Sequence, residues 1–191
     1  SDFKNGIIIP EPITIDGQGH TIDGQGLSRI FLLYQGSKLK NIRLVNASAD
    51  YGGAVLSYRT IVFENCTFAN NYASMYGGVA YAVGQIHDYD SRFINNTARF
   101  NGGELFGEAA VIVSGSTFID NHGMNMAGAI YAQGTLSTNN AFYANNTNLQ
   151  VYSMMMIIGN GNNLEDDYAR VFANATLTNG VVNLDEDLTA S

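Results

Sequence analysis

Residues 61–85 read IVFENCTFANNYASMYGGVAYAVGQ, and at Ile86 the same pattern starts again. Ile61 is followed at a 25-residue step by Ile86, Val111 and Leu136, and Phe68 by Phe93 and Phe118. Gly52-Gly53, Gly77-Gly78 and Gly102-Gly103 are followed in the same way by Ala127-Gly128. Asn46, Asn71, Asn96, Asn121 and Asn146 keep the step as well. A fixed period of roughly 20 to 50 residues marks stacked repeats, each burying its apolar face only against its neighbours.

Within a repeat, short runs alternate in apolar character and are separated by Gly, Asn, Ser or Asp, which are strand and turn signals. β-Branched and aromatic residues dominate the runs, and the glycines leave no amphipathic helix intact. Three short strands and three turns in about 25 residues make one coil of a parallel β-helix, whose next coil follows at about 4.8 Å. The reading is therefore all-β, a parallel β-helix in one domain over residues 1–191. Regular coils are expected at 13–148, with a last coil or an edge-covering cap at 149–191.

The sequence also assigns faces. Val55, Ala80, Leu105 and Ile130 point inward, as does the ladder Leu44, Phe68, Phe93, Phe118, continued by Phe142 or Tyr143. Ala54, Val79, Glu104 and Ala129 are placed outward, with Tyr58, Val83, Glu108 and Gln133, because an unpaired buried glutamate is costly. The asparagines are expected to stack at a turn, where αL geometry is tolerated and the amide satisfies backbone groups.

Composition narrows the function classes. A chain of 191 residues with 46% hydrophobic content can bury a single core. Its net charge of −8 opposes binding to nucleic acid, where Lys and Arg must neutralise phosphates. Cys66 is the one cysteine, with Ser91, Ser116 and Ala141 at its repeat position, so it reads as a small packing residue. No run approaches the roughly 20 apolar residues of a membrane span. Asp16-Gly17-Gln18-Gly19 and Asp23-Gly24-Gln25-Gly26 lack the Lys-Ser/Thr of a phosphate loop and read as tight turns. The chain opens at Ser1-Asp2 in mid-pattern, and a piece of a longer protein is expected.

The stretch Ile13-Thr14-Ile15-Asp16-Gly17-Gln18-Gly19-His20-Thr21-Ile22-Asp23-Gly24, then Ser28-Arg29-Ile30-Phe31, resembles the opening of the β-helical region in adhesin-like surface proteins of methanogenic archaea. Thr67-Phe68-Ala69-Asn70-Asn71 followed by Gly77-Gly78-Val79 is similar to that family's Phe-x-x-Asn and Gly-Gly-Ala-Ile repeats, which occur also in chlamydial polymorphic outer-membrane proteins. The likeness covers residues 13 to 148. It implies a right-handed parallel β-helix, exported to the cell surface or wall, with an adhesive role. It implies no catalytic residues, because the motif contains none.

Polysaccharide-active enzymes also use β-helices. Glycoside hydrolysis needs two carboxyl groups about 5 to 9.5 Å apart. Glu104 and Glu108 would lie about 13 Å apart along a strand, whereas Asp88 and Asp90 would lie about 6.6 Å apart if extended. With His87 and Tyr89 beside them, Asp88 and Asp90 read as a solvated, irregular turn. His20 and His122 read as turn residues. The calcium-binding Gly-Gly-x-Gly-x-Asp repeat is absent, so neither a metal nor a cofactor is expected. Leu56, Tyr81, Phe106 and Tyr131 recur at one outward position, forming with Tyr58 and Glu104 a candidate ligand stripe for sugar rings or an apolar partner. Asn46, Asn65, Asn95, Asn145 and Asn174 begin glycosylation-type triplets. The expectation is thus a non-catalytic adhesin module contacting the surface of another cell, glycan or protein. A passive envelope spacer and a polysaccharide lyase or glycosidase are the alternatives.

Overall fold

The computed structural model describes residues 5–100 and 103–163 in full, and 164, 169–171, 175–178 and 181–184 as strand backbone. The chain is a parallel β-solenoid of about six turns with roughly 25-residue spacing. Sheet 1 starts with Ile7–Ile9 and Phe31–Leu33, and continues through Val55–Ser57, Ala80–Ala82, Leu105–Gly107, Ala127–Ala132 and Leu149–Ser153 to Ala169–Val171. Sheet 2 runs from Ile13–Asp16 to Ile157–Asn160, and sheet 3 from Thr21–Asp23 to Asn163–Leu164, with seven strands each. Sheet 4 is a fourth, shorter element that the three-strand reading did not contain: Ser48–Tyr51, Tyr72–Tyr76, Thr97–Ala98 and His122–Gly123. Ala175–Thr178 and Val181–Leu184 add antiparallel strands to the end of sheet 1.

The interior is built from the predicted ladders. Phe68, Phe93, Phe118 and Tyr143 stack with centroids 4.9, 4.4 and 5.1 Å apart, and it is Tyr143 rather than Phe142 that extends them. Ile61, Ile86, Val111 and Leu136 lie in register in sheet 2 and are fully buried. Aromatic stacking at these separations adds to the area each ring buries.

Two corners explain the asparagine content. Between sheets 2 and 3, Asn41, Asn65, Asp90, Gly115, Asn140 and Gly161 have φ between +49° and +71°. Between sheets 3 and 4, Asn46, Asn70, Asn95, Asp120 and Asn145 have φ between +52° and +57°. A left-handed residue turns the chain in one step, and Asn or Asp supports it where bulkier residues would not. The residue after each second corner points inward. There Asn71, Asn96, Asn121 and Asn146 form a buried ladder. The backbone N–H and Nδ2 of Asn71 donate to Asn96 Oδ1 at 3.0 and 3.1 Å, and the same pair of bonds repeats down the ladder. Each Nδ2 also donates to a main-chain carbonyl, of Leu44, Phe68, Phe93 or Phe118.

Three expectations are corrected. Asn46 is not part of this ladder: Val45 pairs with Ala69, so Asn46 aligns with Asn70, and Ala47 takes the inward place. Ala54, Val79, Glu104 and Ala129 are completely buried rather than outward. Ala54, Val79 and Glu104 sit in the bend before their sheet 1 strands and Ala129 within Ala127–Ala132; at this position two consecutive side chains face the core and the two-residue alternation of a strand does not apply. Asp88 does not lie in an irregular turn. It lies within the regular strand Ile86–Tyr89, in the inward position of Phe63 and Val113.

Candidate functional site

The outward row of sheet 1 has the expected register: Leu56 beside Tyr81, Tyr81 beside Phe106, Phe106 beside Tyr131. Tyr81, Phe106, Tyr131 and Tyr152 stack with centroids 5.0, 4.7 and 5.0 Å apart. The row is not an open stripe, however. Tyr76 lies 4.9 Å from Phe106, Tyr51 meets Tyr81 edge-on at 5.4 Å, and Phe100 meets Tyr76 at 5.9 Å. Phe106 is 3% and Tyr131 7% exposed. These second-layer rings come from the end of sheet 4 and the turn that follows it, which fold over the flank of sheet 1. The exposed rings are instead Tyr51, Phe100 and the stacked pair Tyr34 and Tyr58, whose centroids are 5.2 Å apart.

Tyr51, Tyr76 and Phe100 escaped sequence reasoning, although Tyr51 and Tyr76 each stand directly before a glycine pair at the 25-residue step. Tyr152 was missed because the coil from Ile130 to Val151 takes 21 residues. Tyr81 donates its hydroxyl to the Glu108 carboxylate, and burial followed by this bond drives the phenol pKa up.

Glu104 is removed from the surface stripe. Its side chain is fully buried, and neither carboxylate oxygen has a hydrogen-bond partner. The carboxylate fills the space that Gly78 leaves open: a Cβ there would collide with Oε2 and crowd the Thr97 carbonyl. Burial pushes its pKa well above the ordinary carboxylate value. The nearby His122 N–H, itself bonded to the Asn96 carbonyl at 2.9 Å, offsets this only in part.

Asp88 is likewise buried, with no hydrogen bond of ordinary geometry to either oxygen. Burial raises its pKa to about 7; the nearby Ser116 and Ser91 hydroxyls pull it down and Asp90 pushes it up. Asp90 sits outside on the left-handed corner. The two carboxyl groups therefore share no cleft. His87 is held by Gln85, 2.8 Å from its Nε2. Among the described residues no three His, Cys, Asp or Glu side chains converge on a point that could hold a metal. Cys66 is buried, its thiol pushed up to about 12 mainly by desolvation, with Sγ 3.3 Å from the Leu39 carbonyl.

Asn46, Asn65, Asn95 and Asn145 all occupy left-handed corner positions between strands, while Asn174 lies outside the described residues. The triplets follow from the turn. The corner selects Asn, the next residue packs inside, and Ser48, Thr67, Thr97 or Thr147 returns to the outer face. Asn65 and Asn95 donate to Asn41 and Asn70 at 2.9 and 2.8 Å, so their amides also tie neighbouring coils together.

Among the described residues no helix is long and apolar enough to cross a membrane. Comparisons with protein-family models, with curated proteins and with solved structures find no match.

Proposed function

We propose that this solenoid is a non-catalytic binding module of a cell-surface or cell-wall protein, attaching to the surface of another cell. The observation that carries the reading is the double aromatic layer on one flank. Its outer members, Tyr51 at 38% and Phe100 at 46% exposure, remain in solvent, as does the separately stacked pair Tyr34 and Tyr58 at the end of the sheet 1 strands, at 43% and 42%. Scattered apolar residues on a surface need no account, but a cluster of rings fixed by stacking fits a contact surface. Rigid rings give up little entropy on contact, which makes them good anchors. The repeat motifs, which resemble those of adhesin-like proteins, favour the same role and an extracellular location. A non-catalytic role is supported by Asp88 and Glu104, whose carboxyl groups face the core and could not reach a substrate.

The test is attachment of beads carrying the chain to a panel of microbial and host cells. Tyr58→Ser and Phe100→Ser, both at exposed sites, are expected to reduce attachment together while leaving the melting temperature within about 2 °C. Unchanged attachment by the double variant would refute this flank as the contact. Phe106 and Tyr131 are poor probes by comparison, since both rings serve packing that a passive spacer would retain.

A further inference from the structure

Sheet 4 begins one coil later than the other sheets. Its edge strand, Ser48–Tyr51, has no strand beneath it, because the chain at 24–30 passes that side as a turn and joins it through the Ser48 N–H to Ser28 carbonyl bond. Arg29 takes the place of the missing strand. Its Nε donates to the carbonyls of Tyr51 and Gly52 at 3.2 and 3.1 Å, Nη2 to Tyr51 at 2.7 Å, and Nη1 to Asn5 Oδ1 at 3.1 Å. The result is a notch of about 390 Å³, lined by Asn5, Leu27, Arg29, Asp50, Tyr51 and Tyr72 among others. That volume lies within the roughly 300–1,000 Å³ of small-ligand sites.

The lining restricts the ligand. Asp50, which accepts a hydrogen bond from the Ser74 hydroxyl, and the chain's net charge of −8 disfavour an anion. Arg29, which is 6% exposed, disfavours a cation. A purely apolar ligand would strip water from Asp50, Asn5 and Arg29 without replacing their hydrogen bonds. A ligand that suits them is neutral, rich in hydroxyl groups that both donate and accept, and has one flat apolar face for a tyrosine ring. Asp50 accepts, Arg29 donates, and Asn5 does both. Tyr72, half-buried, and Tyr51 line the notch and give it aromatic surface.

We infer that the notch beside Asp50 and Tyr72 is a subsite for one sugar unit of a neutral glycan. This rests on the surface-binding reading and names its ligand class. The notch adjoins the aromatic flank through Tyr51, whose ring lies 5.5 Å from Tyr76, so a glycan seated there would continue over the exposed rings.

The experiment is isothermal titration calorimetry of the chain with the β-1,4-linked hexasaccharides of glucose, mannose and xylose, and with hexagalacturonate as the acidic control. At least one neutral hexasaccharide is expected to bind, and more tightly than hexagalacturonate. Asp50→Ala and Tyr72→Ala are each expected to weaken that binding about tenfold or more. Tyr72→Phe, which keeps the ring, is expected to stay within about threefold of wild type. Melting temperatures of all variants check the fold. Absence of binding by every neutral hexasaccharide, tighter binding of hexagalacturonate, or wild-type affinity in a folded Asp50→Ala would each overturn the assignment. Attachment to cells that is lost in the Tyr58 and Phe100 variants would still stand if the notch failed, so the two readings fail separately.

Discussion

Asp88 and Glu104 are acids where the fold asks for aliphatic or small residues, and their protonation ties stability to pH. Asp88 has an ordinary value of 3.8, raised in the folded chain to about 7. Between those values the unfolded chain has released the proton and the folded chain keeps it, so stability falls as pH rises through that window and is flat above it. For Asp88 alone the loss is about 4 kcal/mol, at 1.36 kcal/mol per unit. Glu104 acts in the same direction. Asp16 and Asp23 act in the opposite one: the Gln18 and Gln25 N–H groups first, then Asn41 and Asn46, lower their pKa values. What they contribute is present above the ordinary value and lost as pH falls through the lowered one. Maximum stability is therefore expected near pH 4, close to the ordinary aspartate value. Urea denaturation between pH 3 and pH 9 measures it. Asp88→Asn should remove the Asp88 share of the fall between pH 4 and pH 7, about 4 kcal/mol, and leave that of Glu104; a slope unchanged by that variant would refute the assignment to Asp88.

At the scale of a ladder, adjacent asparagines do different work. Asn96 is buried with four hydrogen bonds through its side chain, whereas Asn95 lies outside on the corner. Asn96→Ala leaves the Asn71 N–H and one of its two Nδ2 hydrogens without an acceptor in the core, the other still bonded to the Leu44 carbonyl, and should cost about 2 to 4 kcal/mol. Asn95→Gly keeps the left-handed turn and should cost under about 1 kcal/mol. Phe93→Ala opens a cavity between Phe68 and Phe118 and should cost about 3 to 5 kcal/mol. Equilibrium denaturation of the three variants checks this order.

These ladders were legible in the sequence because a solenoid writes each interior column as a fixed period along the chain. The 25-residue step located Phe68, Phe93 and Phe118 correctly. It misplaced Asn46 because one earlier coil takes 24 residues, so the amide alignment slips by one while both residues are still asparagine. Glu104 was misread for a physical reason of another kind. Burial cost argued it outward, but the bend before sheet 1 sends it inward, into the space left by Gly78. The candidate site was less legible than the fold. Its register came through, but what covers Phe106 depends on Tyr76, which arrives from another sheet.

Over the whole molecule, each coil bonds only to the coils on either side, so stability is close to a sum of coil and interface contributions. Asp88 and Glu104 fall in a single coil, between sheet 1 strands Ala80–Ala82 and Leu105–Gly107. Ionisation should loosen that coil before its neighbours. Hydrogen exchange, corrected for intrinsic rates, is expected to show amides of residues 86–98 losing protection relative to those of 61–73 between pH 5 and pH 8. Equal protection in both segments at both values would argue that the weakness is shared by the entire solenoid.

The coil-to-coil bonding also governs how the chain would carry a mechanical load. Tension applied through its ends would peel coils off one at a time, breaking the hydrogen bonds of one coil edge before the next is stressed. The peak force would then be that of a single step, while the work absorbed would grow with the number of steps. Where the chain peels past Asn71, Asn96 and Asn121, each step must also break side-chain bonds to the next amide and to a main-chain carbonyl. The amides that line the inside of the corner would therefore act as a ratchet of evenly spaced catches, giving a tether that yields by instalments instead of snapping.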